Sequence, residues 1–404
     1  MDLLRCSCLR PAAGLVAVLF LGPYGWAQDS FDLSSAPQAT VIRNGSVEVP
    51  MHRYRHLPIM EARVNGKGPF RFVVDTGSPV LIVNRHIADD LALPTPERFR
   101  DGPEIMVAGP GGQGLPASFH EVESLQVGEA EFRKVVALGL DSPLSREFDG
   151  VIGMGVFRDC VLTYDYAAGR FRITEAPLPA ANGGDVLDFT YETPYSAPVV
   201  PVSVNGTPHR FIIDTGASGW FSFSDAVTDG CSYAYGPVAG PKARSLDREI
   251  DTKVGRLSGR LEVGEYVFKE PYGTVGEGME RSLIGNEALE NFAFSVDQKN
   301  RRVRLARAGK ADIVLPPFRT PGFGLMKGEA GLTVMHVMDD SPAERAGLAV
   351  GDKVVSIERQ PAEDVYGLPM WDKLLEHDSI HIGFIPGGAT EPRELDIDVM
   401  ILVP

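Results

Sequence analysis

Phe72-Val73-Val74-Asp75-Thr76-Gly77-Ser78 is met again in the second half of the chain as Phe211-Ile212-Ile213-Asp214-Thr215-Gly216-Ala217. The likeness extends outward on both sides. Upstream, Leu57-Pro-Ile-Met-Glu-Ala-Arg-Val-Asn-Gly66 answers to Ala197-Pro-Val-Val-Pro-Val-Ser-Val-Asn-Gly206. Downstream, Leu125-Gln-Val-Gly128 answers to Leu261-Glu-Val-Gly264, Val151-Ile-Gly153 to Leu283-Ile-Gly285, and Leu162-Thr-Tyr-Asp165 to Phe294-Ser-Val-Asp297. The order never changes, so one lobe of about 120 residues has been duplicated. A single Asp-Thr-Gly arises by chance in roughly one 400-residue chain in ten; two at matching positions of a duplication do not. The runs 70–74, 135–140, 171–174, 199–204 and 303–306 are β-branched, aliphatic or aromatic with Gly, Pro or Asn close by, which predicts strand-rich lobes. Within the lobes helical pattern is scarce, with short candidates at 85–93 and 287–292.

The lobes fall at about 45–176 and 185–308, joined through the Pro- and Gly-bearing stretch 177–184. A third segment with a different pattern occupies 318–404, after Pro316-Pro317. Forty-four Gly and 31 Pro in 404 residues favour short strands and turns over a helical bundle. A net charge of −15 makes nucleic acid an unlikely partner. At the start, Arg5 and Arg10 precede an apolar run, 12–22, and the small residues Gly25 and Ala27 flank Trp26. That is the pattern of a secretory leader cleaved after Ala27, leaving 28–44 as an N-terminal segment and the mature protein exported, periplasmic or secreted. The run is shorter than the roughly 20 residues a bilayer span needs, so no stable membrane insertion is expected. Cys160 and Cys231 remain after the leader; the sequence leaves open whether they pair or Cys160 is a buried free thiol.

A strand that ends in Asp-Thr-Gly places a carboxylate at a sharp turn, where Gly supplies a positive φ and brings backbone N–H groups to the carboxylate oxygens. If the lobes pair about a twofold axis, Asp75 and Asp214 meet. Two carboxyls in contact cannot both ionise and so share a proton, one then serving as base and the other as acid. Such a pair can hold a water, take its proton as it attacks a carbonyl, and protonate the departing amine. This chemistry needs no metal or cofactor. Gly-x-Ser-x-Gly and His-Glu-x-x-His are absent, and the eight His residues show no ligand spacing.

Residues 45–308 resemble an aspartic protease of the pepsin and retropepsin superfamily, and a fused, single-chain retropepsin-like enzyme is the better description because the lobes are short. The resemblance implies a mostly β fold of two lobes in pseudo-twofold symmetry, with Asp75 and Asp214 as the catalytic pair. Thr76 and Thr215 would brace the loops against each other, and the amides of Gly77 and Gly216 would face the carboxylates. Val151-Ile152-Gly153 and Leu283-Ile284-Gly285 would support the loops from beneath. In that family the hydroxyl at the position of Ser78 donates to the outer carboxylate oxygen. Ala217 offers none in the second lobe, which makes Asp75 the expected ionised partner. Flaps that close over a peptide are expected at Gly109, Gly111, Gly112 and Gly114 in the first lobe, and at Gly236 and Gly240 in the second. Tyr233 and Tyr235 flank the second tip.

In the third segment, Gly322-Phe323-Gly324-Leu325, Asp340-Ser-Pro-Ala-Glu-Arg-Ala-Gly-Leu348 and Val350-Gly-Asp-Lys-Val-Val-Ser-Ile357 resemble a small α+β PDZ domain of the kind attached to bacterial exported proteases. Gly322-Phe323-Gly324-Leu325 would be its carboxylate loop, receiving peptide C-termini, with the following strand cut short by Gly328. The leading expectation is an exported endopeptidase acting on peptide or protein substrates, with the PDZ segment positioning substrate or regulating, as a module whose removal near Ala308 spares the lobes. The alternative is a non-catalytic peptide-binding or scaffold protein on the same fold.

Overall fold

The computed structural model describes residues 18–20, 35–100, 105–108, 114–142, 147–192, 197–244, 249–276, 279–328 and 331–404. The chain is mostly β, about 52% strand and 11% helix, so helices serve only as short connections. The expected leader lies outside the described residues apart from 18–20.

Each lobe is built around its Asp-Thr-Gly strand. In the first, strand Lys67–Asp75 runs parallel to Gly150–Gly153, with Gly153 opposite Asp75, and Gly150–Gly153 runs antiparallel to Leu81–Asn84. The second repeats the device: Ser282–Ile284 is parallel to Thr207–Ile213 and antiparallel to Phe221–Ser222. Strands buried on both faces need a continuous apolar run, and Phe72, Val73, Val74, Phe211 and Ile213 are fully buried. The supporting strands pass so close beneath the turns that only glycine fits: a Cβ at Gly153 would lie 2.4 Å from the Val80 carbonyl, and one at Gly285 would lie 2.2 Å from that of Gly219. The helices after these motifs are shorter than the pattern predicts, Arg85–Asp90 and Asn286–Leu289.

A six-stranded sheet joins the lobes, in the order Val186–Asp188, Arg302–Ala306, Ala293–Asp297, Val161–Asp165, Arg170–Thr174, Ser46–Pro50. Each lobe gives three strands, and all neighbours are antiparallel. At its centre Thr163 pairs with Ser295, its own counterpart in the duplication, with the two hydroxyls 2.8 Å apart. A residue can pair with its own counterpart only where the twofold axis passes. Tyr164, Phe171 and Phe294 pack their rings beside this point, all fully buried, so one core runs through both lobes.

The lobes are longer than the sequence suggests. Ala39–Ile42 pairs with Ala130–Leu140, and the buried Ser35 hydroxyl donates to Val136 O and accepts from Leu81 N, so the first lobe begins before residue 45. In the second, Ile313–Val314 pairs with Tyr266–Lys269. Phe318–Thr320 pairs with the last strand of the chain, Met400–Val403, and Val403 is fully buried in the core of the lobes. Pro316 accepts from the buried Arg256, so Pro316-Pro317 is part of the lobe and not a free linker. The third domain is therefore an insertion held at both ends by one strand pair.

That domain has its own core, with Leu325, Val334, Ala343, Ile357, Ile380, Ile382 and Ile397 buried around Trp371. Its five main strands run Phe323–Gly328, Gly331–Val337, Lys353–Ile357, Ser379–Ile385, Arg393–Asp398. Phe323–Gly328 is not cut short by Gly328; that residue closes the hairpin, opposite Gly331. Ser341 caps helix Pro342–Ala346 through the Glu344 amide, with Pro342 at its first position and Gly347 left-handed after its end, as a helix stop requires.

The three domains meet at His56. Its Nδ1 lies 3.1 Å from Glu290 and its Nε2 lies 3.6 Å from both Glu287 and Asp372, so one imidazole faces carboxylates of the second lobe and of the third domain. Burial pulls its pKa down, but the three carboxylates outweigh it and raise it to about 9. A His raised in the folded state adds stability below its ordinary value near 6.5, and that stability is lost as pH rises through 9. His56→Gln should thus destabilise the protein by on the order of 3 kcal/mol near pH 6, with the difference from the parent shrinking above pH 9. Denaturant melts at pH 6 and pH 10 measure this; a pH-independent difference would sink it.

Candidate active site

The twofold axis brings the two Asp-Thr-Gly turns face to face. Asp75, Thr76, Asp214 and Thr215 are all fully buried. Thr76 N donates to Thr215 Oγ1 (2.9 Å) while Thr76 Oγ1 donates to Ile213 O (2.7 Å). Thr215 N and Oγ1 return the same two bonds, to Thr76 Oγ1 (2.9 Å) and Val74 O (2.7 Å). Four reciprocal hydrogen bonds in a dry core fix the spacing of the turns. Gly77 N donates to Asp75 Oδ1 at 2.7 Å and Gly216 N to Asp214 Oδ1 at 2.8 Å. Gly77 does not adopt a positive φ. Glycine is required there because a Cβ would sit 2.9 Å from Asp214 Oδ1 and 3.1 Å from Asp75 Oδ1, a contact that also shows how near the two carboxyls lie.

The outer oxygens, Oδ2 of both Asp75 and Asp214, are buried without a protein partner. Burial and the neighbouring Asp214 push the Asp75 carboxyl well above the usual carboxylate range. Burial pushes Asp214 up to about 7, against the pull of the Gly216 and Ala217 amides. The asymmetry expected from Ser78 does not arise, because its hydroxyl turns away to donate to Val80 O at 3.3 Å. A carboxyl raised in the folded state contributes stability that is complete below pH 4 and lost as pH rises through about 7. The double variant Asp75→Asn/Asp214→Asn, which cannot ionise, should therefore gain in Tm relative to the parent between pH 4 and pH 7. A constant Tm difference across that range, by calorimetry, would contradict the shifts.

A cleft of about 410 Å³ opens beside the second turn, lined by Gly216, Ala217 and Ser218, by Tyr54, Leu57 and Phe148 of the first lobe, and by Phe323, Gly324 and Leu325 of the third domain. The two expected flap sites fall on hairpins. In the first lobe, Ile105–Ala108 pairs with Leu115–Val127; the expected tip residues Gly109, Gly111 and Gly112 lie outside the described residues, and Gly114 sits just before the returning strand. In the second, Gly236 lies inside strand Tyr233–Ala239 and Gly240 directly after it, so both form the exposed stem and not the tip. The hairpin goes on to the pair Ala243–Arg244 and Glu249–Ile250, and Pro241, Lys242 and Ala243 line the cleft.

Residues 60–156 and 200–288, one stretch in each lobe and each ending beyond the supporting Ile-Gly, match the aspartyl protease family model. The paired lobes belong to the aspartyl protease family. Residues 333–381 match the PDZ domain. No curated protein matches the chain.

Around the aspartyl protease turns the sequence misses Asn286, whose fully buried amide donates to Thr215 O (2.6 Å) and Ala217 O (2.9 Å) and whose carbonyl accepts from Tyr166 of the first lobe (2.6 Å). Its only signal is its place directly after Leu283-Ile284-Gly285. The PDZ carboxylate loop is reduced to Gly322, since Phe323, Gly324 and Leu325 already belong to a strand. Gly322 N is taken by the Thr320 hydroxyl and Leu325 N by that of Tyr366. Cys160 and Cys231 are both free thiols, and burial raises Cys160 to about 12.

Proposed function

We propose that the protein is an exported aspartic endopeptidase in which Asp75 and Asp214 activate a water. One observation carries this reading: two buried carboxyls from matched turns lie in contact, each anchored by its inner oxygen to a glycine amide and each left with a free outer oxygen. With the proton on Asp75, Asp214 is the base. It takes a proton from the water as the water oxygen bonds to the peptide carbonyl carbon, and Asp75 protonates the carbonyl oxygen. The C–N bond then breaks, the amine leaves with the proton from Asp214, and the diol returns one to Asp75. The bracing threonines hold both carboxyls in place throughout, which removes the reorganisation that water would need.

Peptide or protein substrates follow from the family and the PDZ domain. Export rests on Arg5, Arg10, the apolar run and Gly25-Trp26-Ala27; among the described residues no helix is long and apolar enough to cross a membrane. Mass spectrometry of the protein from cell-envelope and medium fractions should find a new N-terminus after Ala27, and a protein retained in the cytosol with residues 1–27 intact would rule export out. Activity is tested by incubating the purified protein with a peptide library between pH 3 and pH 8. Cleavage by the parent and none by Asp75→Asn is the expected result.

A further inference from the structure

The outer edge of the PDZ sheet is already occupied. Strand Phe323–Gly328 is the last strand on its side of the sheet, so its unpaired main-chain groups are where an extended peptide would add itself. Both such groups of Leu325 turn away from the neighbouring strand and are bonded elsewhere. Leu325 N donates to the Tyr366 hydroxyl at 2.8 Å, and Leu325 O accepts from the guanidinium of Arg55, a residue of the first protease lobe.

Arg55 reaches this place at the tip of the hairpin that joins His52–Tyr54 to Leu57–Val64. Arg55 and His56, with φ of 48° and 63°, are the two central residues of the tight hairpin that pairs Tyr54 with Leu57, the left-handed pair that such a two-residue turn adopts. That tip packs on the PDZ domain. Arg55 N donates to Gly367 O at 2.6 Å, the Tyr54 ring lies against Gly367, and the guanidinium stacks 4.7 Å above the Tyr366 ring. His56 faces Asp372 on helix Pro369–Leu374, the helix that walls the other side of the groove. Among the described residues no carboxylate lies within ion-pair distance of Arg55; Glu147 acts on it from farther off, and its direct contacts are a carbonyl and two aromatic rings, the groups a peptide strand would compete for. Tyr54 and Arg55 also line the cleft that reaches Gly216 and Ala217.

We propose that the peptide groove of the PDZ domain is closed in cis by the turn Tyr54-Arg55-His56 of the protease lobe, so that a peptide entering the groove must displace this turn and thereby reshape the wall of the cleft beside the Asp214-Thr215-Gly216 turn. The partner it fits is an extended segment with an apolar C-terminal residue, because Phe323, Leu325, Tyr366 and Trp371 line the groove. Such a peptide binds the minor, open form, and its apparent affinity is reduced by the fraction of molecules that are open. Only the effect on cleavage rests on the proposed endopeptidase activity; the closure itself does not.

The test uses the full-length chain carrying Asp75→Asn, so that the probe is not cut, and a fluorescein-labelled peptide pool ending in a free carboxylate after Val, Leu or Phe. Adding Arg55→Ser should tighten binding at least tenfold. Equal affinity with and without Arg55, or binding by neither protein, would overturn the proposal. Hydrogen exchange on the chain with Arg55 intact needs no destabilising variant: saturating probe should protect 323–328 while deprotecting 52–57. If 52–57 stays as protected as before, the turn is not displaced and the proposal fails. With Asp75 restored, the same probe should change kcat/KM for a short unrelated substrate several-fold. Binding and exchange as expected with no cleavage under any condition would leave the closure standing and reject the endopeptidase.

Discussion

Asp75→Asn and Asp214→Asn are each expected to lower kcat/KM on a peptide substrate by at least about a thousandfold, and the double variant to be no worse than either alone. The two carboxyls act on one proton and one water, so removing either removes the whole device, and the second removal has nothing left to take. Asn keeps the shape of Asp. Its side-chain oxygen can still accept from the Gly77 or Gly216 amide, and the four threonine bonds between the turns do not involve the carboxyls. The variants should therefore fold, with the native near-UV circular dichroism. A single variant that turns over substrate within tenfold of the parent would remove that Asp from the chemistry. Losses that multiply in the double variant would mean that the two act independently.

The second large effect concerns the end of the chain. Read as a module, the segment after residue 308 should be dispensable, yet truncation there is expected to abolish cooperative folding of the second lobe. It strips away Ile313, Leu315 and Val403, all buried at 3% exposure or less in the core of the lobes, together with Phe318, which stacks on Tyr272. At about 1.5–3 kcal/mol for each buried aliphatic side chain, the three represent roughly 5–9 kcal/mol, comparable to the whole stability of an ordinary domain. The informative comparison is an internal deletion in which a short Gly-Ser linker replaces 322–398. It keeps the pair Phe318–Thr320 and Met400–Val403 and should still melt cooperatively. A truncated protein that melts as sharply as the internal deletion would show that these strands are not part of the lobe.

How much was legible in advance follows the range of the interactions. Gly77 N and Asp75 Oδ1 lie two residues apart, and a turn of that span is set by the identity of Asp, Thr and Gly alone, so it can be read wherever the triplet follows an apolar strand. The direction of the Ser78 hydroxyl is equally short in range, yet residue types alone point it to the wrong acceptor. A hydroxyl chooses among nearby acceptors, and the Val80 carbonyl wins by a geometry that residue types do not encode.

The amino-acid sequence by itself determined the duplication, the strand-rich lobes, the pairing of Asp75 with Asp214 as counterparts and the existence of a third, PDZ-like segment. Each of these is written in local periodicity or in a repeated order of residues, and local order survives in one dimension. Only the tertiary structure decided that the last strand belongs to the second lobe, that Asn286 ties the second turn to Tyr166 of the first lobe, and that Arg55 caps the edge of the PDZ sheet. Arg55 and Leu325 are 270 residues apart, and neither is unusual for its surroundings in the chain. A contact of that kind arises because a buried guanidinium and an unpaired strand edge each need a partner where water is excluded, and which partner each finds is settled only when the domains have packed.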